Sequence, residues 1–152
     1  MYNRTVTVFN RYENEVLEKH IWYPHILRNV DLIVDKAARQ VKTGLENADK
    51  ASLHVKYQNV GGVNVIDTGD EKILVYLPPD EWDRQTNDAY ADTITFTEGE
   101  DFFLIGEYQE EPIDDDAYRN GLYDFLNKTH EVYKIKSVGT YYVIPHFEIG
   151  GA

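Results

Sequence analysis

Apolar and polar residues alternate with a period of two along most of the chain, the pattern of β-strands that bury one face. In the segment TVTVF, Val6 and Val8 face one way and the threonines face the other. The segment ASLHVKY places Leu53, Val55 and Tyr57 on one face, with polar residues between them. These segments predict strands that each contribute one apolar face to a common core.

Prolines, glycines and short polar runs mark where the predicted strands bend or end. Pro24 predicts a sheet edge or a bulge, and Arg28-Asn29 a bend. Pro78-Pro79 ends the apolar segment KILVYL, because proline cannot continue a strand ladder. The segment around Glu98–Asp101 predicts a hairpin-type connection between two short strands, and Gly139-Thr140 predicts the turn of a C-terminal hairpin.

Helix signals are few, and two polar segments predict loops. Residues Pro79–Trp82 predict a single helical turn, and Asp116–His130 predict a short helix with apolar residues at helical spacing. Lys42–Lys50 and Gln58–Asp70 are rich in glycine and asparagine and predict loops, the second long and mobile. The chain therefore predicts one mainly-β domain over residues 1–152: a small β-barrel or sandwich with long loops and one or two short helices.

Composition narrows the classes of partner. The 152 residues contain 27 acids and 15 Lys plus Arg, a formal net charge of −12, which argues against specific nucleic-acid binding and against attraction to anionic membranes. The chain has no cysteine, which excludes disulfides and thiolate metal sites. It shows neither an apolar signal-peptide core nor a long apolar run, so we expect a cytoplasmic location.

The acidic segment EEPIDDDAYRNGLYDFLN (residues 110–127) has the proportions of a calcium-binding loop. Counted from Asp116, however, the third position is Tyr118 and the twelfth is Asn127, so two essential oxygen ligands are missing. The better interpretation is that Asp114, Asp115 or Asp116 caps a short helix, since acids favour helix N-termini.

Catalytic patterns are equally sparse. The five histidines form no H-E-x-x-H pair, and His54 on the polar face of its strand is interpreted as solvated. The sequence contains no G-x-S-x-G segment and no phosphate-binding glycine loop. We expect a protein that is not an enzyme, without catalytic, cofactor-binding or metal-binding residues. A hydrolase that uses two carboxylates stays open as a weaker alternative.

Six stretches in the same order resemble a known family of phage proteins. They are TVTVFNRY, HIWYPHILRNVDL, KTGLENADKASLHVKY, VYLPPDEW, ITFTEGEDFFLIGEY and YKIKSVGTYYVIPHFEIGGA. Their pattern resembles the minor capsid or head–tail connector proteins of tailed phages and prophages of Gram-positive bacteria, from about Thr5 to Ala152. The pieces LENADKASLHV, FTEGEDFFLIGE and PHFEIGG are the most specific. The segments Gln58–Asp70 and Glu110–Asn127 are longer than this family leads us to expect.

The resemblance implies a compact β-barrel subunit similar to head-closure (stopper) proteins. It implies a homo-oligomeric ring that contacts portal or adaptor and tail proteins, in the virion neck or in the host cytoplasm before assembly. DNA would pass through an acidic lumen without being bound. Candidate contact residues are four aromatic and three acidic side chains: Trp22, Tyr23, Trp82, Tyr90, Asp114, Asp115 and Asp116. A tail-terminator-type phage protein and a β-barrel that binds a small ligand stay open as alternatives, and Trp22 and Trp82 could instead plug the barrel ends.

Overall fold

A computed structural model describes residues 1–16, 18–35, 50–86 and 89–152. Eleven strands, two α-helices and one 3-10 turn are present in this part of the chain. The strands are β1 (Arg4–Asn14), β2 (Lys19–Asp35), β3 (Lys50–Lys56), β4 (Gln58–Val60), β5 (Val63–Asp67), β6 (Ile73–Tyr76), β7 (Thr93–Ile94), β8 (Phe102–Ile105), β9 (Ile113–Asp114), β10 (Val132–Tyr141) and β11 (His146–Gly151). The helices are α1 (Pro79–Asp83) and α2 (Leu122–Thr129), with the 3-10 turn at Asp115–Ala117.

Six strands close into an antiparallel barrel in the order β1-β8-β10-β11-β3-β2, because β2 pairs back onto β1. The predicted mainly-β class is confirmed, and of the two architectures the chain adopts the barrel. Closure leaves these six strands without a free edge along their paired lengths. Of the seventh strand of this sheet, β9, only two residues pair with β2.

The barrel interior is filled by apolar side chains from alternate positions of every strand. Val6, Val8, Leu53 and Val55 are at most 1% exposed, as the two-residue period predicts. Thr7 is also buried, and its hydroxyl donates a hydrogen bond to the carbonyl of Gly106. The core residues that line the barrel are Val6, Val8, Leu27, Val30, Leu32, Leu53, Val55, Phe103, Tyr133, Ile135, Phe147 and Ile149.

A second sheet, in the order β4-β5-β6-β7, packs against the barrel. Tyr76 on β6 and Phe96 after β7 contact the ring of Phe147 on β11, at centroid distances of 4.5 and 5.3 Å. The predicted hairpin around Glu98–Asp101 is therefore wrong: β7 joins this sheet in parallel with β6, whereas β8 joins the barrel. Strand propensity marked both strands but not the sheet to which each belongs.

Two predicted connections differ in the structure. Gln58–Asp70 is not a loop but the β4–β5 hairpin, where Gly61 and Gly62 both have positive φ, as a two-residue primed turn requires. The C-terminal hairpin is present, but its turn lies at residues 142–145, because Gly139 and Thr140 are paired with β11.

The predicted bend at Arg28-Asn29 is present, whereas the helix predicted over Asp116–His130 begins only at Leu122. The register of β1 against β2 shifts between Arg4 and Val6, opposite the predicted bend at Arg28-Asn29. Pro24 lies in β2 opposite Phe9 of β1. The predicted loop Lys42–Lys50 falls outside the described residues except for Lys50, which begins β3.

Two smaller apolar clusters lie outside the main core. In the first, α2 and β9 cover the outer face of β1 and β8, and Leu122 and Leu126 pack there against Phe9 and Phe102. In the second, α1 packs its Trp82 against Tyr23 of β2 and against Tyr90. No helix in the part of the chain that the structure describes has the length and apolar character needed to span a membrane.

Candidate functional site

The turn between β10 and β11 carries a continuous run of strongly exposed apolar side chains. Tyr142, Val143 and Ile144 are 75%, 98% and 74% exposed, and Tyr141 before them is 47% exposed. Single exposed apolar residues are common, whereas a continuous run of this kind is a candidate contact surface. We call residues 141–145 the hairpin tip.

The hairpin tip is held in place by its base. The hydroxyl of Tyr57 donates a hydrogen bond to the carbonyl of Tyr141 at 2.8 Å, and the backbone N–H of Tyr57 donates to the carbonyl of Pro145 at 3.4 Å. The ring of Tyr141 stacks on the ring of His146, with centroids 4.9 Å apart. These contacts fix the tip before any partner binds, which lowers the entropy lost on association.

An open groove of about 540 Å³ lies beside the hairpin tip, between the barrel and the second sheet. The side chain of Ile144 forms part of its rim, and Tyr57 part of its wall. Most of the other lining side chains come from β2, β3, β5 and β6. Leu27, Val30 and Ile66 form its buried floor at 1% exposure each, whereas Ile73 is 60% exposed. The tip and the groove thus form one largely apolar surface region.

The four aromatic side chains predicted to contact partners are buried within the chain. Trp22, Tyr23, Trp82 and Tyr90 are 5%, 9%, 1% and 0% exposed. Trp22 packs edge-on against Phe102 in the cluster under α2, and the other three pack against one another beside α1. The two tryptophans lie in the two smaller clusters outside the main core, and all four aromatic side chains offer almost no surface to a partner.

The three predicted acids have different roles in the structure. Asp115 accepts hydrogen bonds at one oxygen from the indole N–H of Trp22 and from the backbone N–H of Leu122, each at 2.8 Å. Asp114 accepts from the backbone N–H of Asp116, which lowers the pKa of the Asp114 carboxyl together with the neighbouring Lys19. Asp114 is thus the N-cap of the 3-10 turn, whereas the N-cap of α2 is Gly121 and Asp115 reaches the first N–H of that helix from outside it; Asp116 is exposed.

Asp101 is a fully buried acid that sequence reasoning did not single out. Its carboxylate accepts hydrogen bonds from the side chain of Asn10 and from the backbone N–H groups of Arg11 and Thr97, at 2.9 to 3.0 Å. Burial raises the pKa of Asp101 to about 7, against the effect of these three donors. Both oxygens are thus engaged in tying β1 to the turn before β8, which is a structural role.

Three polar side chains converge on the outer barrel face next to the hairpin tip. His54 on β3 and His146 and Glu148 on β11 bring one potential ligand atom each to within 4.8 Å of the others. The Ile144 carbonyl and Glu148 raise the pKa of His146, whereas His146 and His54 lower the pKa of Glu148. The alternation H-x-E at 146–148 was the available signal, but the pairing of β3 with β11 was needed to place His54 beside it.

Comparison with family models gives a match over residues 1–152, the whole chain, to a family of unknown function, DUF6751. The chain belongs to the DUF6751 family. No curated protein and no solved structure matches the chain. Membership in DUF6751 carries no functional assignment, so the surface features of this member are what supports a function.

Proposed function

We propose that this protein is a non-enzymatic structural subunit that assembles with copies of itself into a ring, in the neck of a tailed-phage or prophage virion. The observation that carries the proposal is the hairpin tip, where three consecutive side chains are at least 74% exposed and apolar on a packed barrel. Removing such side chains from water contributes roughly 25 cal/mol per Å² of apolar surface, which offsets the entropy and desolvation costs of association.

The contact we propose places the hairpin tip of one copy against the groove of the next. Tip and groove lie on the same chain, with Ile144 at the rim and Ile73, which is 60% exposed, in the lining. A contact between two different surfaces of identical subunits is heterologous, and it closes into a ring when the rotation between neighbours completes a circle.

The charge of the chain is compatible with a ring around DNA. A formal charge of −12 on each subunit gives a ring a strongly negative field, which repels the phosphate backbone and lets DNA pass without specific binding. In this proposal the partners are portal or adaptor proteins on one side and tail proteins on the other. The protein would reside in the virion neck, and in the host bacterial cytoplasm before assembly.

Two alternatives make different use of the same surface. A tail-terminator-type protein would also form a ring through the tip, but it would bind tail proteins rather than a portal ring. A barrel that binds a small ligand would need a cavity, and the barrel interior is filled by its own side chains. The groove beside the tip is then the place for a ligand, and a ligand there would compete with assembly.

Sedimentation velocity over a wide range of protein concentration tests the proposed contact. The double variant Val143→Ser, Ile144→Ser removes apolar surface from the tip, and Ile33→Ser is the matched control, since Ile33 is 60% exposed on β2, opposite Ser52 rather than near the tip. We expect concentration-dependent oligomers for the wild type and the control, and monomer for the tip variant. Oligomers that the tip variant forms equally well would contradict the proposal.

A further inference from the structure

His54, His146 and Glu148 share one face of two paired strands on the outside of the barrel. His54 is directly opposite Glu148 in the register of β3 against β11, and His146 precedes Glu148 by two residues, so its side chain points the same way. The intervening Phe147 points into the core and is fully buried. The position of the three polar side chains is therefore fixed by two strands of a closed barrel.

Their distances are close to those of a metal-ligand set. An oxygen of Glu148 lies 3.3 Å from Nε2 of His146 and 3.9 Å from Nε2 of His54. Two ligand atoms of a tetrahedral zinc ion, each about 2.0–2.1 Å from the metal, are about 3.3 Å apart. The pair His146–Glu148 already has this separation, whereas Nε2 of His54 lies 3.9 Å from the Glu148 oxygen and must move closer by side-chain rotation when an ion binds.

The hydrogen bond at the other nitrogen of His146 fixes which atom is available. Nδ1 of His146 lies 2.6 Å from the carbonyl oxygen of Ile144. A carbonyl only accepts, so Nδ1 carries the proton and donates it, and in the neutral ring Nε2 presents a lone pair to Glu148. Metal-binding histidines have this arrangement, in which a backbone carbonyl orients the ring through the second nitrogen. The stacked ring of Tyr141 further restricts the orientation of His146.

The lone pair of Nε2 then faces a carboxylate oxygen, with His54 beside it. A cation among these acceptors, either a proton on an imidazole or a metal ion, is favourable there, and the hydroxyl of Ser52 lies 3.3 Å from Nε2 of His54 as a neutral alternative partner. Two imidazoles and one carboxylate suit zinc and related ions rather than Mg²⁺ or Ca²⁺, which prefer all-oxygen sites. The side chains of His54, His146 and Glu148 are 25%, 16% and 40% exposed, so an ion can enter and keep a solvent ligand.

We infer that His54, His146 and Glu148 bind one divalent transition-metal ion of the zinc class, with a remaining position open to water. The ion links β3 to β11 at the base of the hairpin tip. It therefore stabilises the native barrel, because a ligand that binds only the folded state raises the free energy of unfolding. This inference is independent of the proposed ring, since all three ligands come from one chain.

Isothermal titration of untagged, chelator-treated protein with Zn²⁺ tests the site, and the absorption spectrum of bound Co²⁺ reports direct coordination. We expect one ion per chain and a rise in melting temperature on zinc addition. His54→Ala and His146→Ala should each weaken zinc binding by more than about a hundredfold. That loss exceeds the effect of removing a residue that only hydrogen-bonds to a metal ligand. His130→Ala, at an exposed histidine after α2, is the control and should bind like the wild type.

Each other outcome overturns the inference. Absence of saturable zinc binding by the wild type means that the three groups form only a hydrogen-bonded ion pair. Equal binding by the wild type and the His54→Ala and His146→Ala variants places the ion elsewhere on the acidic surface. Because all three side chains lie on the outer face, the variants should keep the wild-type circular dichroism spectrum. Glu148→Gln, which keeps the shape of the side chain, provides a second variant if an alanine variant unfolds.

Discussion

Two buried polar residues, His25 and Asp101, make the free energy of unfolding of this barrel depend on pH. His25 is 2% exposed in β2, and its Nε2 has no hydrogen-bond partner among the described residues. Burial, together with the nearby Lys72, lowers the pKa of His25 to about 3. Asp101 has the opposite shift, with its pKa raised to about 7. Between about pH 4 and 6.5 these two residues therefore change the free energy of unfolding in opposite directions.

The His25→Leu variant separates the two effects. Below pH 6.5 the unfolded state protonates His25 and the folded state does not, so the wild type loses stability as the pH falls towards 3. The variant lacks this loss. Relative to the wild type, its free energy of unfolding should rise by up to about 1.4 kcal/mol for each pH unit below 6.5. Urea unfolding at several pH values measures the difference, and a difference that does not change with pH would contradict the assignment.

Replacement of Asp101 tests the buried hydrogen-bond network. Asp101→Ala leaves the donors of Asn10, Arg11 and Thr97 without their acceptor, and each unsatisfied buried donor costs about 1–3 kcal/mol. Asp101→Asn keeps one acceptor oxygen and should cost less. Asp92→Asn, at an exposed aspartate, is the control and should change stability by less than about 0.5 kcal/mol. Chemical unfolding in which the Asp101→Asn variant is no more stable than the Asp101→Ala variant would show that the carboxylate oxygens do not hold the turn.

Among the secondary-structure elements, those formed by the acidic segment Glu110–Asn127 cover one side of the barrel. Strand β9 and the 3-10 turn lie within it, and α2 begins in it, ends at Thr129 and buries Leu122 and Leu126. Asp115 joins the acidic segment to the barrel through Trp22. The composition that resembles a calcium loop is thus explained by capping and by one buried indole contact.

Asp115→Ala and Asp116→Ala form a matched pair that tests this account of the acidic segment. Asp115→Ala removes the acceptor of two N–H groups and should lower the free energy of unfolding by about 1–3 kcal/mol. Asp116→Ala changes an exposed side chain and should stay within about 0.5 kcal/mol of the wild type. Thermal unfolding compares the two, and equal effects would show that the Asp115 contacts do not hold the acidic segment.

The two-residue period predicted most of the strands, but it did not predict how the strands pair into sheets. Alternation located Val6, Val8 and Leu53 in the core, and prolines ended β6 where they were expected. Pairing between strands that are distant in sequence leaves no local signal. The sequence therefore could not predict which sheet β7 joins, or that His54 lies beside His146 and Glu148 of β11. The sequence also did not predict which aromatic side chains are exposed. Tryptophan occurs both at interfaces and in cores, and here both tryptophans are buried.

At the scale of the whole molecule, charge and apolar surface act against each other. Subunits with a formal charge of −12 repel one another, while the hairpin tip favours contact. Added salt screens the repulsion over a Debye length of about 8–10 Å at physiological strength and leaves the apolar contact intact. The ring we propose therefore forms only where the apolar contact at the tip outweighs the repulsion between subunits.

Self-association should accordingly strengthen as salt is raised from low to physiological concentration. Light scattering coupled to size-exclusion chromatography at several salt concentrations measures the mean mass. The tip variant Val143→Ser, Ile144→Ser should stay monomeric at all of them, because it keeps the charge but lacks the apolar side chains. Association that weakens with salt would indicate a contact made by ion pairs instead of the tip.

Electron microscopy of the purified protein mixed with a tailed-phage portal complex is the decisive test of the proposed ring. We predict a ring of density on the portal with the wild-type protein and with the Ile33→Ser control. The tip variant Val143→Ser, Ile144→Ser should leave the portal bare. A portal that stays bare with the wild-type protein, or a ring that the tip variant forms equally well, would contradict the claim.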